Sequence, residues 1–385
     1  MKKIAVFLGL MLSLTACNTG AKQTTATSAV GTSAAETSAA TTVENKEIPT
    51  LNVGWSNELH TGNMELSRLI PDAFKDNAIH LNPISDSQSE LIRDGETIAY
   101  INHVLTKGAS ECATLLSQGH LDVAYCSSTA MFTTYDKGTD VSILAPIQSG
   151  GVSIVAAKDA PYSNFDELVA YAKSAEKPLL AGYHSPISSP RLVLEYALKE
   201  AGVVVTEDPA DYSADVLLMD LKGIGNLIPA LSSGQVEFWA APVPNPQNAI
   251  AQGIAKKIAT LDELPGGKWV DFPCCTMNVL NSVKTEYPEV LSALASATRD
   301  IMDYANTHRE ETASAIADYV GMKAEDLSGN DTTYTTTADE KFITGMNKYY
   351  DVMTEMGKFE GRFSGKTYSE IEKMLFDFDV MKNAK

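Results

Sequence analysis

Any chemistry in this chain has to come from a few small clusters of residues. Cys274 and Cys275 are adjacent, and thiols are the softest and most nucleophilic side chains near neutral pH. Strand alternation would send the two side chains to opposite faces, and neighbouring cysteines bond to each other only with strain. The pair therefore reads as one buried thiol and one, Cys275, near a ligand cleft. The other reading is a thiol that meets a soft ligand, with Cys126 or Met277 beside it. The six histidines stand at 60, 80, 103, 120, 184 and 308. None forms His-x-x-x-His, so spacing gives no zinc signature and no metal is assigned. Gly-x-Ser-x-Gly is absent, which removes one common hydrolase signature. A nucleophilic enzyme would have to pair Cys275 with His184 or His60. Gly223 and Gly225 read as a tight turn and are too weak a signal for a phosphate loop, so no cofactor is expected.

The other polar clusters are rich in hydroxyls, and each follows a short apolar run. Trp55, Ser56, Asn57 and His60 come after 51–53, where Trp55 reads as an aromatic wall or as core. Tyr125, Cys126, Ser127 and Ser128 close the run 121–125. Ser127 or Ser128 at a helix start would cap that helix or present free N–H groups to an anion. Gln148 and Ser149 end 141–147. His184, Ser185, Ser188 and Ser189 precede Pro190; Ser189 reads as an N-cap and Pro190 as the first helical residue. Lys222 follows 216–219, and Ala241 and Pro242 follow 236–240.

The elements that must position these loops alternate. Strand-like runs at 51–53, 121–125, 141–147, 151–157, 179–181, 216–219 and 236–240 are separated by helical periods such as 165–172, 191–201 and 227–231. After Tyr287-Pro288 the chain turns largely helical. The pattern predicts an α/β fold with mostly parallel sheets. One stretch repeats: Leu116-Ser117-Gln118-Gly119-His120-Leu121-Asp122-Val123 against Leu231-Ser232-Ser233-Gly234-Gln235-Val236-Glu237-Phe238. Each copy is a helix end, a glycine stop, an acidic residue and a strand. The echo is either chance or the mark of two similar lobes whose strand ends face one crevice.

Composition bounds the function. The 385 residues carry 30 Lys+Arg against 49 Asp+Glu, a formal charge of −19. Nucleic-acid binding needs a basic face and is excluded. Five cysteines are too few for a disulfide scaffold. Lys2-Lys3, the apolar run 4–14 and Leu14-Thr15-Ala16-Cys17 follow one another. The run is too short to span a bilayer. This order resembles a bacterial lipobox, which implies a signal peptide at 1–16 and a lipid on Cys17. Residues 18–42 are almost all Ala, Ser, Thr and Gly, a composition that cannot form a core and suits a tether over 17–47.

The weak motifs, taken in order, resemble a family. The Leu116-to-Val123 segment with Ser127-Ser128, the strand at 138–145, the run 151–159 and Phe165-Asp166-Glu167-Leu168 carry the likeness. So do Cys274-Cys275-Thr276-Met277-Asn278-Val279-Leu280 and Tyr287-Pro288-Glu289-Val290. They resemble solute-binding proteins of ABC importers, of the nitrate, sulfonate, taurine and bicarbonate type. Ala170-Tyr171-Ala172 departs from the Lys-Gly-Lys usual there. The resemblance implies a type II periplasmic-binding-protein fold: lobe one at 48–150 plus 283–385, lobe two at 151–282, and a ligand cleft between them. It implies a monomeric, lipid-anchored extracytoplasmic receptor that hands a small polar or anionic solute to an ABC permease and its ATPase. It implies binding without catalysis. A receptor of a tripartite transporter and an extracytoplasmic enzyme on the same fold are the alternatives.

Overall fold

The computed structural model describes residues 47–327 and 330–384. The expected signal peptide at 1–16, the expected lipidation site Cys17 and the expected tether over residues 18–42 lie outside the described residues. Among those described, no helix is long and apolar enough to cross a membrane.

Two sheets organise the chain. Thr50–Ser56 (β1), Ile79–Ser85 (β2), Gln88–Arg93 (β3), Glu96–Thr106 (β4), Val123–Ser127 (β5) and Val141–Ser149 (β6) enter the first. Val152–Ala157 (β7), Leu179–Tyr183 (β8), Val205–Thr206 (β9), Val216–Asp220 (β10), Phe238–Pro242 (β11) and Ala255–Thr260 (β12) form the second. Pro273–Leu280 (β13) and Thr333–Tyr334 (β14) return to the first. The strand orders are β14-β6-β13-β5-β1-β4-β3-β2 and β12-β7-β11-β8-β10-β9.

The sheets are mixed rather than mostly parallel. β1 runs parallel to β4 and β5, and β8 parallel to β10 and β11. β13 runs antiparallel to both β5 and β6, and β7 antiparallel to β11 and β12. The chain crosses between sheets without an α-helix at these strands, directly from β6 to β7 and through two short 3-10 turns from β12 to β13, so they enter in the opposite direction. β2, β3 and β4 form an antiparallel meander. Asp94 and Gly95 both have positive φ between β3 and β4, the backbone of a two-residue hairpin turn. β13 falls within the stretch expected for the second lobe, yet it is hydrogen-bonded between β5 and β6 of the first sheet.

The internal echo is structural. Gly119 and Gly234 both take left-handed φ, +70° and +71°, as a glycine just past a helix does. Asp122 Oδ2 accepts the Asn52 N–H at 2.7 Å, and Glu237 Oε2 accepts the Leu180 N–H at 2.8 Å. In each copy the acid therefore fixes the start of the neighbouring strand. β5 and β11, which follow, lie inside their sheets and are buried along their length.

Apolar residues fill both faces. Trp55, Trp239 and Trp269 are all buried; each contributes roughly 1.5–3 kcal/mol or more by leaving water. The helix Pro288–Thr307 buries Leu291, Leu294, Ile301 and Met302. It is pinned to β5 by Tyr125 Oη and Thr298 Oγ1, 2.6 Å apart. The helix Glu340–Glu355 sets Tyr349 against Trp269, ring centroids 5.6 Å apart.

Candidate functional site

The loops at the carboxyl ends of β1, β5, β8 and β11 converge on one cavity, as strand ends in open α/β sheets do. Its volume is about 30 Å³, little more than one or two waters in this closed arrangement. Of the residues named from sequence, Ser56, His60, Cys126, Ser127, His184, Ser188, Pro242 and Cys275 line it. Glu58, Thr61, Gly108, Ala109, Pro190, Ile224 and Cys274 complete the wall. First-sheet and second-sheet residues thus face each other across it.

Polar contacts close the two sides together. The Ser189 N–H donates to Ser127 Oγ at 3.1 Å, and the two hydroxyls lie 2.8 Å apart. Thr129 Oγ1 donates to the Ile187 carbonyl at 2.7 Å. Ser185 Oγ meets Ser110 Oγ at 2.7 Å. The Leu59 N–H donates to the Val243 carbonyl at 3.0 Å, tying the loop after β1 to the loop after β11. The helix starting at Ser189 takes Ser188 as its N-cap and places Pro190 second, one residue from the expected register. Ser127 is the N-cap of the helix Ser128–Asp136, but no side-chain cap bond forms. Its hydroxyl meets Thr129 Oγ1 in the first turn and Ser189 Oγ across the cavity, each at 2.8 Å.

The cysteines do not alternate. Cys274 and Cys275 both line the cavity, and their sulfurs are 3.7 Å apart. The expectation of opposite faces fails because the β13–β6 register shifts on both sides of Cys275. An irregularity of this kind adds a residue to one strand and re-aims side chains. Hydrogen bonding from Cys275, with His60 and Ser189 nearby, draws the Cys274 thiol down to about 5 against its burial. Burial, reinforced by Cys274, pushes the Cys275 thiol well up. Burial pulls the His60 ring down, but Cys274 and Glu58 outweigh it and leave it above its ordinary value. Burial raises Glu58 despite His60. His184 is lowered by burial to about 4. Cys275 with His184 is therefore a pair of neutral groups, and the acidic thiol is Cys274 beside His60.

The wall also carries one carboxylate, Glu58. Glu58 is 4% exposed. It takes the Thr61 hydroxyl at 2.6 Å and the His60 N–H at 2.7 Å. The His60 ring is held in turn: its Nε2 lies 2.9 Å from the Gly151 carbonyl.

Several expected residues lie elsewhere. Trp55 is core: its Nε1 donates to Glu65 at 3.1 Å and its ring packs on His103 and Tyr125. Tyr125 points to Thr298. Asn57 is exposed. Lys222 is turned to solvent and paired with Asp220 at 2.5 Å. Ala241 is packed in the second sheet's core. Gln148 lies behind His60, donating to the Gly150 carbonyl at 2.5 Å, and Ser149 faces the outer side of that crossing. Ser128 is buried behind the wall, without a partner for its hydroxyl. Ser185 and Ser189 support the wall through Ser110 and Ser127. Trp55, Tyr125 and Ala241 are strand residues, and alternation turns such side chains into the core. Glu58 and Thr61 are legible from their place beside His60, in the loop that follows Ser56. Gly108 and Ala109 follow the β2–β4 meander.

Comparisons with known proteins bear on the family and the fold. The sequence matches the NMT1-like family over residues 93–321. An uncharacterized protein of Methanocaldococcus jannaschii, MJ1180, is 31% identical over 104 residues, 26% of this chain and 72% of that protein. Three solved structures share the fold. The ligand-binding component of an ABC-type import system from Staphylococcus aureus, with zinc bound, aligns with a TM-score of 0.66 at 13% identity, over 88% of this chain and 99% of that one. The periplasmic nitrate-binding protein NrtA from Synechocystis aligns at 0.65 and 16%, over 88% of each. The alkanesulfonate-binding protein SsuA from Xanthomonas axonopodis pv. citri, bound to MOPS, aligns at 0.60 and 14%, over 81% and 95%. The architecture is the α/β two-sheet fold of type II periplasmic binding proteins.

Proposed function

This chain belongs to the NMT1-like family, and from that premise we propose that it is the solute-binding lipoprotein of an ABC importer. It captures a small polar or anionic organic solute between two lobes and presents the closed form to a permease and its ATPase. The observation that carries this reading is a cavity walled by both sheets and latched across by Ser127 and Ser189. A hinged binding protein closes over its ligand in this way. The lobes meet where the chain crosses, at Gly150-Gly151 and between Thr260 and Pro273. Nitrate-binding and alkanesulfonate-binding neighbours support an anionic solute. So do the hydroxyls and helix starts gathered at the wall. A lipid on Cys17 would hold the protein on the outer side of the cell membrane, and residues 18–42 would give it reach.

A thermal-shift screen of nitrate, alkanesulfonates and small heterocyclic acids tests the proposal. One class should raise Tm in proportion to the logarithm of its concentration. At 100 times Kd the stabilisation is about 2.7 kcal/mol. If only peptides respond, solute capture of this kind is wrong. Replacing Cys17 with Ser should release the protein from membranes; retention would remove the lipid anchor.

A further inference from the structure

The wall of the cavity contains an arrangement that capture of an organic solute does not require. A ring nitrogen of His60 and the sulfurs of Cys274 and Cys275 lie within 4.8 Å of one another, all buried. Two thiolates bound to one tetrahedral ion at about 2.3 Å each stand roughly 3.8 Å apart. The two sulfurs here are 3.7 Å apart. The histidine is oriented as a ligand would be. Its Nε2 meets the Gly151 carbonyl at 2.9 Å, and its Nδ1 is buried with no hydrogen-bond partner. Metal-bound imidazoles commonly give their other N–H to a backbone carbonyl, which fixes tautomer and ring plane. His60 is 1% exposed, so an unpartnered nitrogen there is costly unless something meets it.

From this juxtaposition we infer that His60, Cys274 and Cys275 bind one thiophilic cation of the Zn(II) or Cu(I) class inside the solute cavity. The inference rests on the cavity being the solute site. Two sulfurs and one nitrogen exclude Mg(II) and Ca(II), which take oxygen ligands. Three protein ligands leave a fourth position for water or for a donor atom of the solute. The β13 irregularity then has a purpose, since regular alternation would separate the two sulfurs.

The test is a titration of the reduced full-length protein with Co(II) alone, followed by displacement with Zn(II). One equivalent of Co(II) should produce a thiolate-to-cobalt charge-transfer band, which Zn(II) abolishes. H60A and the double variant C274S/C275S should each weaken binding at least tenfold. C17S and C112S should keep it. A second readout needs no variant: Zn(II) should protect Cys274 and Cys275 of the unaltered protein from alkylation, mapped by mass spectrometry. Absence of the band together with unprotected thiols overturns the site. So does a band that survives C274S/C275S. If metal fails to bind while an organic anion still raises Tm in chelator-treated protein, the metal site falls and solute capture stands. If metal binds at these residues and no organic solute does, the organic-solute reading falls instead.

Discussion

Ser127 and Ser189 latch the two sheets: the Ser189 N–H donates to Ser127 Oγ at 3.1 Å, and the hydroxyls are 2.8 Å apart. One residue ends β5 and the other starts the helix after β8, so the contact exists only when the sides meet. Ser127→Ala leaves the Ser189 N–H without its acceptor. A buried donor so orphaned costs about 1–3 kcal/mol. The closed form bears that cost, and the open form can solvate the group. Solute affinity should fall roughly five- to a hundredfold, mainly through faster release. Isothermal titration with whichever solute emerges from the screen checks this, and an unchanged Kd would remove the latch from the account.

Gly151 should tolerate no side chain. Its φ is +69°, and a Cβ there would lie 2.2 Å from Thr332 Oγ1 and 2.8 Å from His60 Nε2. Gly151→Ala combines left-handed strain with a clash against two buried groups. The expected loss is about 2 kcal/mol or more, read as a lower urea midpoint. Because His60 is one of the groups displaced, ligand binding should weaken as well. Gly150→Ala meets only the Asp331 carbonyl, at 3.1 Å, and should be milder. Equal, small effects at both positions would show that this crossing is not tightly packed.

The sequence made the framework legible because each signal was local. Hydrophobic runs and the glycine stops at Gly119 and Gly234 act within one helix–strand unit, and the acids Asp122 and Glu237 that follow them each reach a neighbouring strand. Their hydrogen bonds confirm the echo residue by residue. The antiparallel meander is also locally encoded, by Asp94-Gly95, where both residues take positive φ. The site was half legible. Ser127 and Pro242 close their strands and His184 follows one, so all three are legible as residues at strand ends. The convergence of His60, Cys274 and Cys275 could not, because ligand spacing rules describe neighbours in sequence. Here a strand irregularity and a chain crossing bring distant residues together.

Asp136 should matter more than its place at a helix end suggests. Its carboxylate is buried and accepts the Phe363 N–H at 2.7 Å, the Gly361 N–H at 3.1 Å and the Glu360 N–H at 3.2 Å. It thereby fixes the return of the C-terminal segment onto the first sheet. Asp136→Ala strips the acceptor from three amides, at roughly 2–4 kcal/mol. Asp136→Asn keeps the shape but turns a donor toward donors, and should recover only part. Urea unfolding of the two variants measures this, with a loss under about 0.5 kcal/mol for Asp136→Ala as the contrary result.

Stability should fall as pH drops below neutrality, and His103 should carry a definable share. Burial, with the Arg68 charge adding to it, lowers His103 to about 4. Its ring lies 5.0 Å from that of Trp55, and Nε2 meets Ser89 Oγ at 3.1 Å. The unfolded chain binds the proton at the ordinary value near 6.5, and the folded chain resists it. The unfolded state therefore holds more protons between those two values. Stability is fully present above about 6.5 and is lost as pH falls toward 4. From about pH 7 to about pH 5 this group alone accounts for about 2 kcal/mol. His60 has the opposite sign: its value is raised, so its contribution is present at low pH and fades as pH climbs through the folded value. His103→Gln removes the first effect and leaves the second. Urea unfolding at the two pH values should show the variant losing about 2 kcal/mol less than the parent on acidification. Parallel losses in both would assign the acid sensitivity to other groups.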